Sequence, residues 1–312
     1  MTLHAVEATA NATVANLGVG FDILGMALAE PCDVVRAERS QSAGVQIAAI
    51  TGDDGKLSRD PMRNTAGIAA AHVLQQIGAA EGVVLTVHKG LPLASGLGSS
   101  AASAVAAAVA VNALFGEPLD RAALLAASLE GEAAVSGRHA DNVAPSLFGG
   151  ITLVLGTTAE SIHSLPMPPN LHLALVTPAI AVPTAQARAV LPQSVSLKTM
   201  VHQTANVALL IHALYTGDLA LLGTAMERDS VVEPARAHLM RGLPEVRAAA
   251  RACGALGTVI SGAGPTLCSI CDSELVAQRV ADAMRAVYAE MNLTAVVRVT
   301  RPTAQGAAWR AL

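Results

Sequence analysis

The spacing of apolar and polar residues along the first part of the chain predicts short strands separated by helices. Residues 6–10, 34–38 and 83–88 form short apolar or alternating runs bounded by Gly, Pro or charged residues, a pattern typical of strands. Residues 64–77 are predicted to form a helix. After the loop GLPLASGLG, about 17 residues from Ser99 onward are strong helix formers with apolar side chains on every face, which indicates a buried helix.

A polar, Pro-rich segment marks the predicted boundary between two domains. Residues 121–136 are predicted to form another helix, closed by Gly137, and residues 149–156 return to a strand. The run GTTAESIHSLPMPPN that follows is polar and rich in Pro, which is typical of a linker. We therefore predict one domain over residues 1–160 and a second over residues 161–312.

The second half mixes helices and strands and ends in the order strand, strand, helix, strand. Such an order predicts an α+β fold rather than a doubly wound parallel sheet. The predicted strands are residues 171–176, 258–261, 267–270 and 295–300, and the predicted helices are residues 184–190, 198–215, 218–228, 244–253 and 273–290.

Composition and charge narrow the classes of function. Apolar residues make up 52% of the 312 residues and aromatic residues only 2%, so the core must be built from Ala, Val, Leu and Ile. The net charge of -4 provides no basic surface to neutralise phosphates, which disfavours a nucleic-acid partner. No long apolar run or leader pattern is visible, so we expect no membrane partner and a cytoplasmic protein. Cys268 and Cys271 are predicted on one strand and point to opposite faces, which argues against a zinc site.

The stretch PLASGLGSSAAS, residues 92–103, carries the clearest chemical pattern. Gly96 and Gly98 permit backbone angles that are closed to other residues, and Ser99 and Ser100 stand where the buried helix begins. Unpaired N–H groups and the positive end of the helix dipole then point to one place, as in a phosphate-binding loop. A Gly-rich turn with a serine cap is the alternative. The loop lacks the Lys of a Walker motif, and no strand follows the helix as a dinucleotide-binding fold requires.

Two glycine motifs in the expected order resemble those of the GHMP kinase superfamily. Its phosphate loop has the form Pro-x-x-x-Gly-Leu-Gly-Ser-Ser, which is matched at every position by Pro92, Gly96, Leu97, Gly98, Ser99 and Ser100. GTVISGAGPT at residues 257–266 matches the second motif. Within the superfamily, ATVANLGVGFDILGMAL near the N-terminus, GRHADNVAPSLFGG at 137–150 and RDSVVEPARAHL at 228–239 are similar to homoserine kinases in particular.

This resemblance implies a fold, cofactors and a substrate. The fold would be the α+β, two-domain GHMP kinase fold, with an N-terminal ATP-binding domain like the second domain of ribosomal protein S5 and a ferredoxin-like C-terminal domain. ATP and Mg2+ would be the cofactors, and L-homoserine would be the small-molecule substrate, converted to O-phospho-L-homoserine in threonine biosynthesis. Members of the family are often dimers, so a homodimer is one assembly to test.

The resemblance also assigns residues to the nucleotide and the metal. It places Ser99 and Glu132 at Mg2+, with Glu130 as the alternative carboxylate, and Asn64 and Lys89 near the nucleotide. The residues of the loop itself are Pro92, Leu93, Ala94, Ser95, Gly96, Leu97, Gly98, Ser99, Ser100, Ala101 and Ala102.

An amino-acid substrate requires an anion for its ammonium group and guanidinium groups for its carboxylate. By the resemblance, Asp22 is the ammonium partner, and Arg188 and Arg236 form the carboxylate clamp. The other implied pocket residues are Asn16, His139, Asn142 and Thr184.

Asn142 takes the place at which mevalonate-type relatives have a catalytic aspartate. An amide cannot accept a proton at neutral pH, so Asn142, Ser99 and Glu132 are expected to act through position and charge. Asp141 is the obvious substitute base. We expect residues 141–142 in a loop or extended chain, where neighbouring side chains point apart, so that Asp141 faces away from the pocket.

Two other functions remain open from the sequence. One is another GHMP-type kinase, acting on threonine or on a mevalonate-like substrate. The second is a non-catalytic, ligand-binding regulator on the same fold, which would carry lesions in the phosphate loop or metal site, and none is evident.

Overall fold

Two β-sheets organise the protein, which a computed structural model describes over residues 3–312. Within those residues the strands are β1 (Ala5–Ala15), β2 (Leu24–Ser40), β3 (Val45–Thr51), β4 (Gly82–His88), β5 (Ile151–Val154), β6 (Ile162–Leu165), β7 (His172–Pro178), β8 (Gly257–Ile260), β9 (Leu267–Cys271), β10 (Ala295–Thr300) and β11 (Ala308–Ala311). The first sheet has the order β11-β1-β2-β4-β3, with β5 beside β2 and β6 beside β5. The second has the order β10-β7-β9-β8.

Helices pack on both sheets, so the predicted α+β class is confirmed. Throughout the described chain, strand pairs are antiparallel except for β3 with β4, as expected when strands and helices do not alternate regularly. The helices are α1 (Thr65–Ile77), α2 (Ser99–Leu114), α3 (Arg121–Ala133), α4 (Ala140–Phe148), α5 (Thr184–Ala189), α6 (Leu197–Thr216), α7 (Leu219–Met226), α8 (Val232–Arg236), α9 (Leu243–Ala252) and α10 (Glu274–Glu290).

Helix α2 is the centre of the first half, as its uniform apolar composition predicts. All of its residues except Ser100 are buried. It contacts α1, α3 and α4 as well as β1 and β2. Alanine side chains are small enough to let three helices and a sheet approach one helix closely. The first turn of α2, which follows the predicted phosphate loop, is thereby fixed in position.

Several elements differ from the sequence prediction. Strand β6 lies inside the predicted linker and extends the first sheet through β5, and β11 returns from the end of the chain to pair with β1. The domain division at residue 160 stays a prediction. Helix α4 occupies residues that were expected to be loop or extended chain. Pro145 within α4 and the glycines that flank it hid this helix, because both residue types favour loops.

No helix within residues 3–312 is both long and apolar enough to cross a membrane.

Candidate active site

One cavity of about 370 Å3 brings most of the predicted site residues together. Its wall combines the start of α2, the end of α3, the first turn of α4, the start of α5 and the loop between β1 and β2. The predicted residues that line it are Asn16, Asp22, Asn64, Lys89, Leu93, Ala94, Ser95, Gly96, Gly98, Ser99, Ser100, Glu132, His139, Asn142, Thr184, Arg188 and Arg236. The other four predicted loop residues, Pro92, Leu97, Ala101 and Ala102, are not part of its lining.

The phosphate loop presents the N-terminus of α2 to this cavity. Gly98 is the cap residue, with φ of 66°, and no side chain caps the helix. The N–H groups of the first turn therefore keep their capacity to bind an anion, reinforced by the dipole of a 16-residue helix. A β-carbon at Gly98 would lie 2.1 Å from the Thr13 hydroxyl and 2.8 Å from Asn142 Oδ1. Only glycine fits there.

The second glycine motif packs against the phosphate loop. The Ser261 hydroxyl donates to the carbonyl of Gly96 at 2.7 Å, and the Thr266 N–H donates to the carbonyl of Ser95 at 3.1 Å. A β-carbon at Gly96 would come within 2.3 Å of the Ser261 carbonyl oxygen. The motif at residues 257–266 therefore holds the loop in its left-handed conformation.

Lys89 is buried beneath the loop. Its ammonium group donates to Asp33, to the Ser99 carbonyl at 2.8 Å and to the Ser103 hydroxyl at 2.7 Å. Burial lowers the pKa of Lys89, and the carboxylate of Asp33 opposes that change. An ammonium has three N–H donors, so contact with adenine would require Lys89 to give up one of these bonds.

Asn64 also has a structural task. It caps α1, with Oδ1 accepting from the Ala66 N–H at 3.0 Å, while Nδ2 donates to the Ser58 carbonyl at 2.9 Å. Its place in the cavity wall therefore leaves one lone pair of Oδ1 and one N–H for a ligand.

Glu132 and Glu130 have different surroundings although both lie on α3. Glu132 is buried and lines the cavity; one carboxylate oxygen accepts from the Ser136 hydroxyl, and Oε2 has no partner among the described residues. Burial raises the pKa of Glu132, opposed by the Ser136 hydrogen bond and by the charge of Lys89. Glu130 lies outside the cavity lining and pairs with Arg138 at 2.7 Å.

Asp22 and Arg188 form the charged end of the cavity. Arg188 Nη2 lies 2.7 Å from Asp22 Oδ1 and Nη1 lies 3.0 Å from Oδ2. Asn16 Oδ1 accepts from the Asp22 N–H at 3.1 Å, and Asn16 Nδ2 donates to the Gly262 carbonyl at 2.9 Å. His139 Nδ1 lies 3.5 Å from Asp22 Oδ2. Burial lowers the pKa of His139, and the charge of Asp22 opposes this.

Arg236 is more deeply placed than Arg188. It is 2% exposed, and its guanidinium donates to the carbonyls of Ala187 and Gly262 at 2.9 and 3.0 Å. The Phe21 ring lies next to both guanidinium groups, 5.3 Å from that of Arg188 and 5.2 Å from that of Arg236. The negative face of an aromatic ring attracts guanidinium groups, which lowers the cost of placing two positive charges near each other.

The first turn of α4 carries both Asp141 and Asn142 into the cavity wall. The expectation that Asp141 faces away is wrong, because these residues lie on a helix and not in extended chain. Asn142 Oδ1 accepts from the Thr13 hydroxyl at 2.7 Å. Asp141 is 4% exposed. Burial, together with the negative charges of Asp22 and Glu132, raises the pKa of Asp141 to about 7.

Family models and known proteins match this sequence over most of its length. The model of the GHMP kinase N-terminal domain matches residues 64–150, and that of the GHMP kinase C-terminal domain matches residues 210–290. A homoserine kinase of Chlorobium phaeobacteroides (strain BS1) is 41% identical over 300 residues, which cover 93% of each chain. That of Arabidopsis thaliana is 44% identical over 285 residues, which cover 89% of this chain and 77% of the relative. The chain belongs to the homoserine kinase family.

A solved structure extends the likeness to the whole fold. The crystal structure of homoserine kinase from Cytophaga hutchinsonii has a TM-score of 0.94 and 39% identity to this chain, and the match covers 99% of this chain and 98% of that one. The predicted two-domain GHMP kinase fold is thereby confirmed. So is the prediction of an ATP-dependent phosphotransferase that acts on an alcohol group.

In this homoserine kinase family member, sequence reasoning missed Thr13 and Phe21. Thr13 continues the alternation of polar residues Glu7, Thr9 and Asn11 along β1, but it is fully buried where they are half-buried. The sequence pattern alone therefore gave no signal that singled it out. Phe21 is one of three phenylalanines in the chain and precedes Asp22 in the glycine-flanked stretch. Its rarity could have marked it as a site residue.

Proposed function

We propose that the protein transfers the γ-phosphoryl group of ATP to the side-chain hydroxyl of L-homoserine, giving O-phospho-L-homoserine for threonine biosynthesis. The observation that carries this proposal is a single cavity with an uncapped helix N-terminus at one side and Asp22, Arg188 and Arg236 at the other. The first suits phosphates, and the second suits the ammonium and carboxylate groups of an amino acid. The names of the similar proteins point to the same substrate.

The first turn of α2 is the proposed phosphate site. Its free N–H groups and helix dipole would bind the phosphates of ATP, while Gly96 and Gly98 let the backbone approach them closely. The buried bonds of Lys89 to Asp33 and Ser99 keep this turn rigid. Lys89 thus acts in this proposal as a support for the loop.

Glu132 and Ser99 are the proposed Mg2+ ligands. The buried, unpartnered Oε2 of Glu132 fits a divalent cation, because an ionised carboxylate oxygen is costly to bury without a positive partner. Within residues 3–312 no group of three or more His, Cys, Asp or Glu could hold a metal, so phosphate oxygens would complete the coordination. When bound, Mg2+ neutralises charge on the phosphates. The ion pair of Glu130 with Arg138 makes Glu130 the poorer candidate.

Substrate selection is assigned to the charged end of the cavity. Asp22 would bind the ammonium group, and Arg188 and Arg236 would bind the carboxylate. Asn16 fixes the backbone N–H of Asp22, and His139 stands beside its carboxylate. Thr184, at the start of α5, lines the same wall and is proposed to contact the substrate.

Asn142 is the proposed contact for the reacting hydroxyl. The Thr13 hydroxyl donates a hydrogen bond to Asn142 Oδ1, which leaves the N–H groups of the Asn142 amide to donate to the substrate. Phosphoryl transfer through a loose transition state demands little activation of the nucleophile, so its proton can pass late to a phosphate oxygen. Catalysis would then depend on alignment and electrostatics.

Release of ADP over a panel of hydroxyl substrates tests the proposal. With Mg-ATP, L-homoserine should be phosphorylated in clear preference to L-serine, D-homoserine, L-threonine and mevalonate. Faster turnover of threonine or mevalonate would assign a different GHMP-type activity. Absence of ADP release with every substrate, in a protein that still binds ATP, would favour a non-catalytic regulator. The Glu132→Gln variant provides the blank for contaminating kinases.

A homodimer and a cytoplasmic location stay predictions. Light scattering at several concentrations would settle the first, and fractionation of the source cells would settle the second.

A further inference from the structure

The two groups proposed to hold the opposite charges of the substrate are bonded to each other. Asp22 and Arg188 are 166 positions apart in the chain, yet they form a two-pronged ion pair with N···O distances of 2.7 and 3.0 Å. Both side chains are partly screened from water, at 25% and 30% exposed. A paired geometry of this kind is stronger than a single contact between exposed charges.

Arg188 has fewer fixed contacts than Arg236. Among the described residues its Nη atoms bond only to Asp22, and its buried Nε has no partner. Arg236 differs, because two backbone carbonyls fix its guanidinium. A ligand can therefore draw Arg188 away from Asp22 without breaking another hydrogen bond of the Arg188 side chain. The other contacts affected are the Phe21 ring beside Arg188 and His139 Nδ1, 3.5 Å from Asp22 Oδ2.

We propose that L-homoserine binds by exchange with this ion pair: its carboxylate takes Arg188 from Asp22, and its ammonium group takes Asp22 from Arg188. This inference rests on the proposed function. A ligand with both charges replaces each lost contact by an equivalent one. A ligand with one charge breaks the pair and leaves either Asp22 or Arg188 partly buried without a partner, which costs free energy. The ion pair thus rejects hydroxy acids and amino alcohols that fit the cavity in shape.

Two ligands that each lack one charged group of L-homoserine can be used to detect the exchange. 4-Hydroxybutanoate is homoserine without its amino group, and 3-amino-1-propanol is homoserine without its carboxylate. Calorimetric titration of the 312-residue protein, saturated with a non-hydrolysable ATP analogue and Mg2+, gives Kd for each. We expect both to bind the wild type at least 100-fold more weakly than L-homoserine.

The Asp22→Asn variant should reverse part of this rejection. Asparagine tolerates the left-handed backbone of Asp22, where φ is 61°, so the fold should be kept. With Arg188 released in advance, 4-hydroxybutanoate should bind at least fivefold more tightly than it binds the wild type, while L-homoserine binds more weakly. No gain for 4-hydroxybutanoate would overturn the proposal.

A double-variant cycle separates exchange from a general change in charge. Removal of the negative charge of Asp22 could merely strengthen the attraction of 4-hydroxybutanoate to Arg236. In that case the gain in affinity from Asp22→Asn will persist in the Arg188→Met background. If the exchange operates, Asp22→Asn in the Arg188→Met background will give no gain, and a persistent gain would contradict it. Asp282→Asn, which removes the partner of Arg285 on the surface of α10, is the matched control and should leave every Kd unchanged.

A structure of the wild type with L-homoserine bound provides a test that needs no variant. Separation of the Arg188 and Asp22 side chains beyond 4 Å would support the exchange, and an intact pair in the complex would refute it. The ADP-release assay keeps the two proposals distinct. If the wild type phosphorylates L-homoserine but shows no exchange, only the exchange is refuted. If it does not phosphorylate L-homoserine, the proposed function itself is refuted.

Discussion

Replacement of Asp141 by Asn should make the protein more stable, and more so as the pH rises. Asp141 lies in the cavity wall at 4% exposure, near Asp22 and Glu132. Burial and the charges of those two carboxylates raise its pKa from the usual 3.8 to about 7. The folded protein therefore holds the Asp141 proton more tightly than the unfolded chain does. The contribution of Asp141 to the free energy of unfolding is fully present below about pH 4 and is lost as the pH rises through about 7.

The size of the effect follows from the difference in pKa. At 1.36 kcal/mol for each unit of pKa, a rise of about 3 corresponds to about 4 kcal/mol of lost stability above pH 8. Asparagine has nearly the same shape and does not ionise. The free energy of unfolding of Asp141→Asn, minus that of the wild type, should therefore grow by about 3 kcal/mol between pH 4 and pH 7 and then level off.

Urea unfolding at several pH values between 4 and 8.5 measures this difference directly. Curves of unfolding free energy against pH that run parallel for wild type and Asp141→Asn would refute the reasoning. The same variant tests the absence of a general base. Its kcat should stay within about tenfold of the wild type, since a true base contributes about 10² to 10⁴. A thousandfold loss, with disappearance of an acidic limb in the pH profile of kcat, would make Asp141 the base.

Three further predictions concern the proposed ligands and the phosphate loop. Arg188→Ala and Arg236→Ala should each lower kcat/KM for L-homoserine by about 10- to 100-fold, from the loss of a charged hydrogen bond of about 1.5–3 kcal/mol, with the KM for ATP unchanged. An equal effect on ATP would assign them to the nucleotide or the fold. Glu132→Gln should abolish turnover at ordinary Mg2+ in a folded protein, and the reverse pattern, with Glu130→Gln inactive instead, would move the ligand to the earlier residue. Gly98→Ala should be destabilised by about 1–3 kcal/mol and inactive, because its β-carbon would lie 2.1 Å from a buried hydroxyl; a Tm and kcat equal to the wild type would contradict the close packing.

The elements that sequence reasoning found are those with a strong local pattern. Helix α2 is apolar on every face, and α6 has clear helical periodicity. Strand β3 was missed because most of its residues are exposed or half-buried and show no alternation. Strand β11 was missed because all four of its residues are exposed and its partner, β1, lies at the other end of the chain. Pairing between distant segments leaves no mark on the local pattern.

The same distinction applies to the site. The glycine loop and the start of α2 were predictable because glycines and a helix start occur together within a few residues, and the role of this loop in phosphate binding stays a proposal. The ion pair of Asp22 with Arg188 was not, since the sequence indicates two charges but not their contact. Sequence resemblance placed Asn142 at the pocket, and Asp141 was expected to face away because the helix that carries both residues was not recognised. The pKa of Asp141 depends on three-dimensional neighbours and could not be predicted from the chain alone.

The second glycine motif makes hydrogen bonds at both ends of the cavity. The Ser261 hydroxyl holds the Gly96 carbonyl of the phosphate loop, and the next carbonyl, that of Gly262, accepts from both Asn16 and Arg236. The turn at residues 261–262 therefore contacts the proposed phosphate loop through Gly96 and the charged end of the cavity through Asn16 and Arg236. Since Asn16 also fixes the backbone of the proposed ammonium partner, a shift of this turn would move both ends of the reaction path together. Under the proposed function, the motif would align the phosphoryl donor with its acceptor by packing, because its atoms bond both to the proposed phosphate loop and to the proposed substrate-binding residues.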